Sequence, residues 1–182
     1  MQFLRVSFIF VLLITILLPF DTVPSDIAPD IRKLPLCDFP PAAETAGWVL
    51  IPALDEEPTA TDRITFRLPS SFRKAPPRGN YWHGGQAWQD DKRFVEEVYG
   101  QWGPNSFAND DEPEISSKWC HETIDGMETI FIESRLRGSI NVTAWYRESG
   151  EVYDVTVSAS SDTATDTPLL YTVLRSIKRL KD

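Results

Sequence analysis

The chain reads as an α+β domain: a mostly antiparallel β-sheet with a C-terminal α-helix packed on one face and a short helix elsewhere. Three observations carry this. From Cys120 onward, apolar and polar residues alternate in runs, the signature of half-buried strands. The connections between those runs are short, which makes neighbouring strands antiparallel. The last stretch changes period: Leu170, Val173, Leu174 and Ile177 form the apolar stripe of a helix. The 182 residues, 42% of them hydrophobic, suffice for one core, are too few for two ordinary domains and are too apolar for a disordered chain.

The elements follow in order. Trp48 to Leu54 is a first strand candidate, and the acidic stretch Asp55 to Asp62 a loop. Arg63 to Leu68 alternates, with Ile64, Phe66 and Leu68 on one face; Pro69 ends it. Ser70 to Lys74 suits one helical turn before Pro76, Pro77 and Gly79 break the chain. Gly85 to Asp90, a turn at Gln89 to Lys92, and Arg93 to Trp102 suit a hairpin. Val95, Val98, Tyr99 and Trp102 also fit a helix face, but Gly100 and the β-branched and aromatic content favour a strand. Gly103 to Lys118 is a long polar loop. Cys120 to Ile124 and Met127 to Ser134 form a hairpin about Asp125-Gly126. Ser139 to Arg147 and Glu151 to Ser158 are two further strands joined at Ser149-Gly150. Thr167 suits a helix N-cap and Pro168 the first helical position, with the helix running to Leu180 and its basic residues near the C-terminus.

The first residues are of another kind. Arg5 is the sole charge ahead of an apolar run from Phe8 to Phe20, the order of a secretory signal. The run has 13 residues, short of the roughly 20 a spanning helix needs. Two outcomes stay open: cleavage after Ser25, or an uncleaved anchor that holds the protein at the inner membrane through residues 6–20. Both place the domain outside the cytoplasm. The expected division is 1–25 signal peptide or signal-anchor, 26–46 Pro-rich leader, and 47–182 a single α+β domain. Cys37 follows Leu34-Pro35-Leu36, a poor lipobox that lies far beyond the apolar run.

Cys37 and Cys120 are the only thiols. An even count in an exported chain favours a disulfide, which would close a loop of roughly 80 residues and contribute about 4–5 kcal/mol. Two reduced thiols, or a metal-bound Cys120 beside His121, are the other readings; no C-x-x-C completes a metal site.

The net charge of −9 speaks against a nucleic-acid partner. Catalytic signatures are missing: no G-x-S-x-G elbow, no H-E-x-x-H, no phosphate-binding glycine loop. The acidic run Asp110 to Glu114 lacks the spacing of a calcium loop. Glu96 and Glu97 are adjacent, so on a strand they point to opposite faces and cannot act as a facing acid–base pair. His83 and His121 are the only histidines and the only imidazole bases available to a hydrolase or metal enzyme, the alternative function. Asn141-Val142-Thr143 matches a glycosylation sequon. Tryptophans cluster at Trp82, Trp88, Trp102, Trp119 and Trp145; Trp serves both cores and binding hot spots. Tyr81, Trp82, His83 and Trp102, beside glycine-rich or turn residues, are the candidate binding surface.

Several stretches resemble the PsbP-like α/β/α sandwich family: Ile64-Thr65-Phe66-Arg67-Leu68-Pro69 its opening strand, Thr123-Ile124-Asp125-Gly126 its mid-domain turn, and Ser139 to Ser158 with the final helix its closing strand–strand–helix unit. The resemblance spans about two thirds of the chain. It implies a non-catalytic binding or assembly module; no ligand site transfers by residue, and no long helix can be placed between the two halves. The expectation is therefore an exported binding or assembly module at the cell envelope. It would need no cofactor or metal, and its partner would be a protein or a small ligand. An acidic surface favours a basic patch on such a protein.

Overall fold

The computed structural model describes residues 33–53, 64–78, 85–99, 116–147 and 155–180. Strands β1 (Val49–Ile51), β2 (Ile64–Leu68), β3 (Arg73–Ala75), β4 (Gly85–Gln89), β5 (Arg93–Tyr99), β6 (Ser116–Ile124), β7 (Met127–Leu136), β8 (Ser139–Arg147) and β9 (Val155–Ser161) precede helix α1 (Thr167–Arg175) and β10 (Lys178–Arg179). Seven strands form one sheet in the order β3-β4-β5-β9-β8-β7-β6, antiparallel throughout. Strands β1, β2 and β10 form a second, three-stranded antiparallel sheet. The α+β class read from the sequence is the observed one.

Turn chemistry builds half of the large sheet. Asp125 and Gly126 both have positive φ, as do Arg137 and Gly138. Two consecutive positive φ values make turns whose twist matches that of a hairpin. They stack β6, β7 and β8 in register, with Ile124 opposite Met127 and Leu136 opposite Ser139. β9 then pairs with β8 on one side and β5 on the other, and so joins this meander to the β3–β5 unit.

Strand alternation sorts the side chains onto two faces. Val95, Val142, Ala144, Tyr146, Val155, Val157, Ala159, Phe131 and Met127 point to one face and form the main core. Helix α1 lays Leu170, Tyr171, Val173 and Leu174 on that face. The small sheet covers the rest of it: Ile64, Phe66 and Leu68 are wholly buried, and Phe66 meets Trp88 edge-on at 5.2 Å. The helix is locked to the sheet by the Tyr146 hydroxyl, which donates to the Leu174 carbonyl at 3.0 Å. Complete burial pushes the Tyr146 hydroxyl pKa well up. At the rim of the core, Tyr171 donates to Glu133 at 3.0 Å and Arg135 holds the other carboxylate oxygen at 2.7 Å.

The leader is part of the domain. Cys37 and Cys120 are bridged, as the even count of thiols suggested. Phe39 then packs edge-on against Phe131 at 5.1 Å and Tyr171 at 5.0 Å, beneath the Arg175 guanidinium. The Ala43 N–H donates to Thr172 Oγ1. Residues 1–32, with the predicted export segment, lie outside the described residues. Among the described residues no helix is long and apolar enough to cross a membrane.

Several boundaries differ from the sequence reading. Residues Arg93–Tyr99 are strand, and Trp102 lies outside the described residues. Ser70 to Lys74 is not a helical turn: after one turn closed by Phe72 N–H to Pro69 carbonyl, Arg73–Ala75 pairs with β4. So short a helix is poorly nucleated, whereas the edge of β4 offers backbone partners. The short helical element lies at Ala164–Asp166 as a 3₁₀ turn, which moves the N-cap of α1 from Thr167 to Asp166. β6 starts at Ser116, inside the stretch read as loop. Helix α1 stops at Arg175, because the next residues pair with β2 and the Arg179 N–H donates to Asp125. Among the described residues the helix lies on one face of the large sheet; no second helical layer is described.

Tyr146→Phe removes the hydroxyl that satisfies the helix-end carbonyl. It is expected to lower stability by about 1 kcal/mol in urea unfolding, with an unchanged dependence on denaturant concentration.

Candidate functional site

The other face of the large sheet carries a trough. β9 presents Thr156, Ser158 and Ser160 there, all small and uncharged. Larger side chains rise on both sides. On β5, Phe94 packs with Ala75 and Ala87, and the Arg78 guanidinium lies over its ring at 3.8 Å. On β7 and β8, Ile130, Ile132 and Trp145 form a second buried cluster with Trp119 and Leu34 packed against it. The Trp119 and Trp145 rings stack at 6.4 Å, within 6° of parallel. Neighbouring strands are about 4.8 Å apart, so the walls on β5 and β8, with β9 between them, stand two strand spacings apart across a low floor.

The cavity holds about 530 Å³, within the size range of small-molecule sites. Its floor is a hydrogen-bonding surface. Asn141 donates to Thr143 Oγ1 at 3.3 Å, and the Thr143 and Ser158 hydroxyls share a hydrogen bond at 2.9 Å. Ser134, Ser139 and Ser160 add further hydroxyls to the lining. The Thr156 hydroxyl, in the same row, is buried and has no hydrogen-bond partner among the described residues. Burying a hydroxyl unbonded is unfavourable by roughly 1–3 kcal/mol. The rim balances its charges: Arg78, Lys92 and Arg93 against Asp90, Asp91 and Asp162.

One rim element is rigidly built. Asp90 ends the β4–β5 hairpin by accepting hydrogen bonds from the backbone N–H groups of Lys92 and Arg93 and from Arg93 Nε at 2.9 Å. Ser71 donates at 3.2 Å to Oδ2, the oxygen that also accepts from Arg93 Nε, while the two amides share Oδ1. Burial opposes ionisation of Asp90, but the Arg93 guanidinium and the two amides outweigh it, so its carboxyl titrates below the ordinary value. The hairpin tip is tied to the sheet by Asp162 N–H to the Lys92 carbonyl. It separates the trough from a second cleft of about 680 Å³, lined by Ser71, Arg73, Thr163, Thr165 and Asp166.

Tyr81, Trp82, His83 and Trp102 lie outside the described residues. His121 is half-buried on the outermost strand of the large sheet, where its backbone holds the leader. Among the described residues no three His, Cys, Asp or Glu side chains gather to hold a metal ion. Glu96 and Glu97 do point to opposite faces: Glu97 is bonded by Gln86 at 2.6 Å, and Glu96 accepts from the Arg78 N–H at 2.8 Å. The sequon residue Asn141 lines the trough. The trough itself was missed in the sequence. Its one readable signal is the alternation of Val155, Val157 and Ala159 with Thr156, Ser158 and Ser160, a strand with no charge on either face.

No protein-family model matches the chain, and neither does any curated protein. Among solved structures the chain is similar to LpqN, involved in cell envelope biogenesis of Mycobacterium tuberculosis. The TM-score is 0.40 and the identity 12%, over 78% of this chain and 100% of LpqN.

Asp90→Asn is expected to lower stability at neutral pH by about 1–2 kcal/mol, since it removes a charge-assisted network. The folded pKa of Asp90 lies below its unfolded value of about 3.9, so this stability is present above that value and lost as pH falls through the folded one. Urea unfolding of both proteins across the acidic range should show the difference shrinking toward the acid end.

Proposed function

We propose that the protein is an exported, non-enzymatic binding module at the cell envelope, and that it takes a small polar ligand into the trough on the sheet face opposite α1. The observation that carries this reading is the trough: a floor of hydroxyls and a carboxamide between apolar walls. Convergent polar groups between apolar walls fix the orientation of a bound molecule. Balanced rim charges favour a ligand without net charge.

The export part rests on other features. Arg5 and the apolar run to Phe20 have the order of a signal. A bridged Cys37–Cys120 pair suits an oxidising compartment. Attachment to the inner membrane through residues 6–20 belongs to the same proposal, as does the absence of a nucleic-acid partner, which the charge of −9 supports. So does the PsbP-like reading, supported by the order β8, β9, α1.

The test is an amide NMR titration with neutral mono- and disaccharides and free amino acids as probes. The reading expects shifts at Phe94, Ile132, Asn141, Thr143 and Ser160, and their loss in Ser160→Trp, which fills the trough with an indole. Shifts confined to other surfaces, or unaffected by Ser160→Trp, contradict it.

A further inference from the structure

The two edges of the large sheet differ. β3 has three residues, two of them the exposed Arg73 and Lys74, and Pro76-Pro77 follows at once. Short length, charge and proline are the usual protections of an edge strand. β6 has nine residues, and among the described residues β7 is its one strand partner in the sheet. Among the described residues its protection is the leader, which pairs its backbone with β6 at one residue, His121, and is bridged to the neighbouring Cys120. The His121 N–H donates to the Pro35 carbonyl at 3.0 Å, and the His121 carbonyl accepts from the Cys37 N–H at 3.1 Å.

This pair of bonds fixes which groups face outward. His121 directs its backbone away from β7, so Ser117, Trp119 and Thr123 do the same. The leader runs parallel to β6, and the next bond of that ladder would run from the N–H of residue 35 to the Trp119 carbonyl. Residue 35 is proline and has no N–H. In the other direction, the bridge to Cys120 turns the leader over the core face, where Phe39 packs. No backbone hydrogen bond among the described residues reaches the outward groups of Ser117, Trp119 or Thr123.

The sequence of this edge is complementary to itself. Set β6 antiparallel to β6 of a second copy, with Cys120 facing Cys120 across the axis. Trp119 then exchanges backbone bonds with His121, Ser117 lies opposite Thr123, and Lys118 lies opposite Glu122, each twice by symmetry. Sliding the strands so that Lys118 meets Lys118, or Glu122 meets Glu122, puts like charges opposite and is unfavourable. Lys118 is exposed, and Glu122 is half-buried and paired with Arg175, which meets each of its oxygens at 3.4 Å. The favourable register needs the His121 N–H and carbonyl, the two groups the leader occupies.

We propose that β6 is a self-association edge for a second copy of this chain, and that the leader, latched by the Cys37–Cys120 disulfide, keeps it capped. With the latch closed the protein is a monomer. With the latch open the leader leaves His121 and two copies join through β6 into a continuous sheet.

Sedimentation velocity of the purified protein tests this. The oxidised protein is expected to be monomeric and the Cys37→Ala, Cys120→Ala double variant to dimerise. Adding Lys118→Glu to that variant should weaken the dimer about tenfold, since two attractive pairs become repulsive. Exchanging the charges, Lys118→Glu with Glu122→Lys, should restore it. A second variant avoids reliance on the first. Cys37→Ala alone leaves Cys120 facing its own copy in a non-hydrogen-bonded pair, where strands approach to about 4.5 Å, within reach of a disulfide. Oxidised glutathione as the electron acceptor should yield a Cys120-linked dimer on a non-reducing gel. Lys118→Glu should slow that link, and the charge exchange should restore its rate. A latch-free protein that stays monomeric at every concentration, or association indifferent to both charge changes, overturns the proposal.

Discussion

Everything in the fold depends on the two-sided pairing of β9. It bonds to β5 along one edge and β8 along the other, and without it the chain would be two separate antiparallel units. Neither unit could bury a core alone, because a few strands without a covering layer are marginal in water. β9 also feeds directly into α1 through the 3₁₀ turn, where the Ser161 hydroxyl donates to Asp166 at 2.6 Å. The strand that closes the sheet therefore also aims the helix that covers it. Ser160, on the outward face of the same strand, lines the trough. Sheet closure, helix docking and the candidate binding site are consequences of one seven-residue segment.

The leader acts at the β6 edge of the sheet in a comparable way. It contributes a bridge to the outer strand, a disulfide to the same strand, and a phenylalanine to the gap between that strand's neighbour and α1. A proline-rich stretch has few backbone donors of its own, so it can cross a sheet edge without extending the ladder.

Much of the fold was legible, and what was not has physical reasons. Ser139 to Arg147 was read to the residue, because Ile140, Val142, Ala144 and Tyr146 alternate cleanly against the core. The turn at Asp125-Gly126 was readable because both residues tolerate the left-handed region. The stripe Leu170, Val173, Leu174 and Ile177 is buried as its spacing required. β3 and β10 escaped notice because strands of three and two residues hold no period; backbone pairing alone defines them. The first half of β6 escaped because an edge strand is partly solvated on both faces, so Ser116 to Lys118 need not alternate. The trough was the least legible feature. It forms only when the small residues of β9 are set between Phe94 and Trp145, and that register joins positions some fifty residues apart. The tryptophan segments that looked most like a binding surface lie outside the described residues.

The central claim is that β9 unites the two halves into one cooperative unit with the trough at the seam. Native-state hydrogen exchange followed residue by residue measures this directly. The account predicts that the amides bonded between β5 and β9 and those bonded between β8 and β9 open with the same free energy, equal to that of global unfolding. A β3–β5 unit that opens at markedly lower free energy, while β6–β9 stays protected, would contradict it.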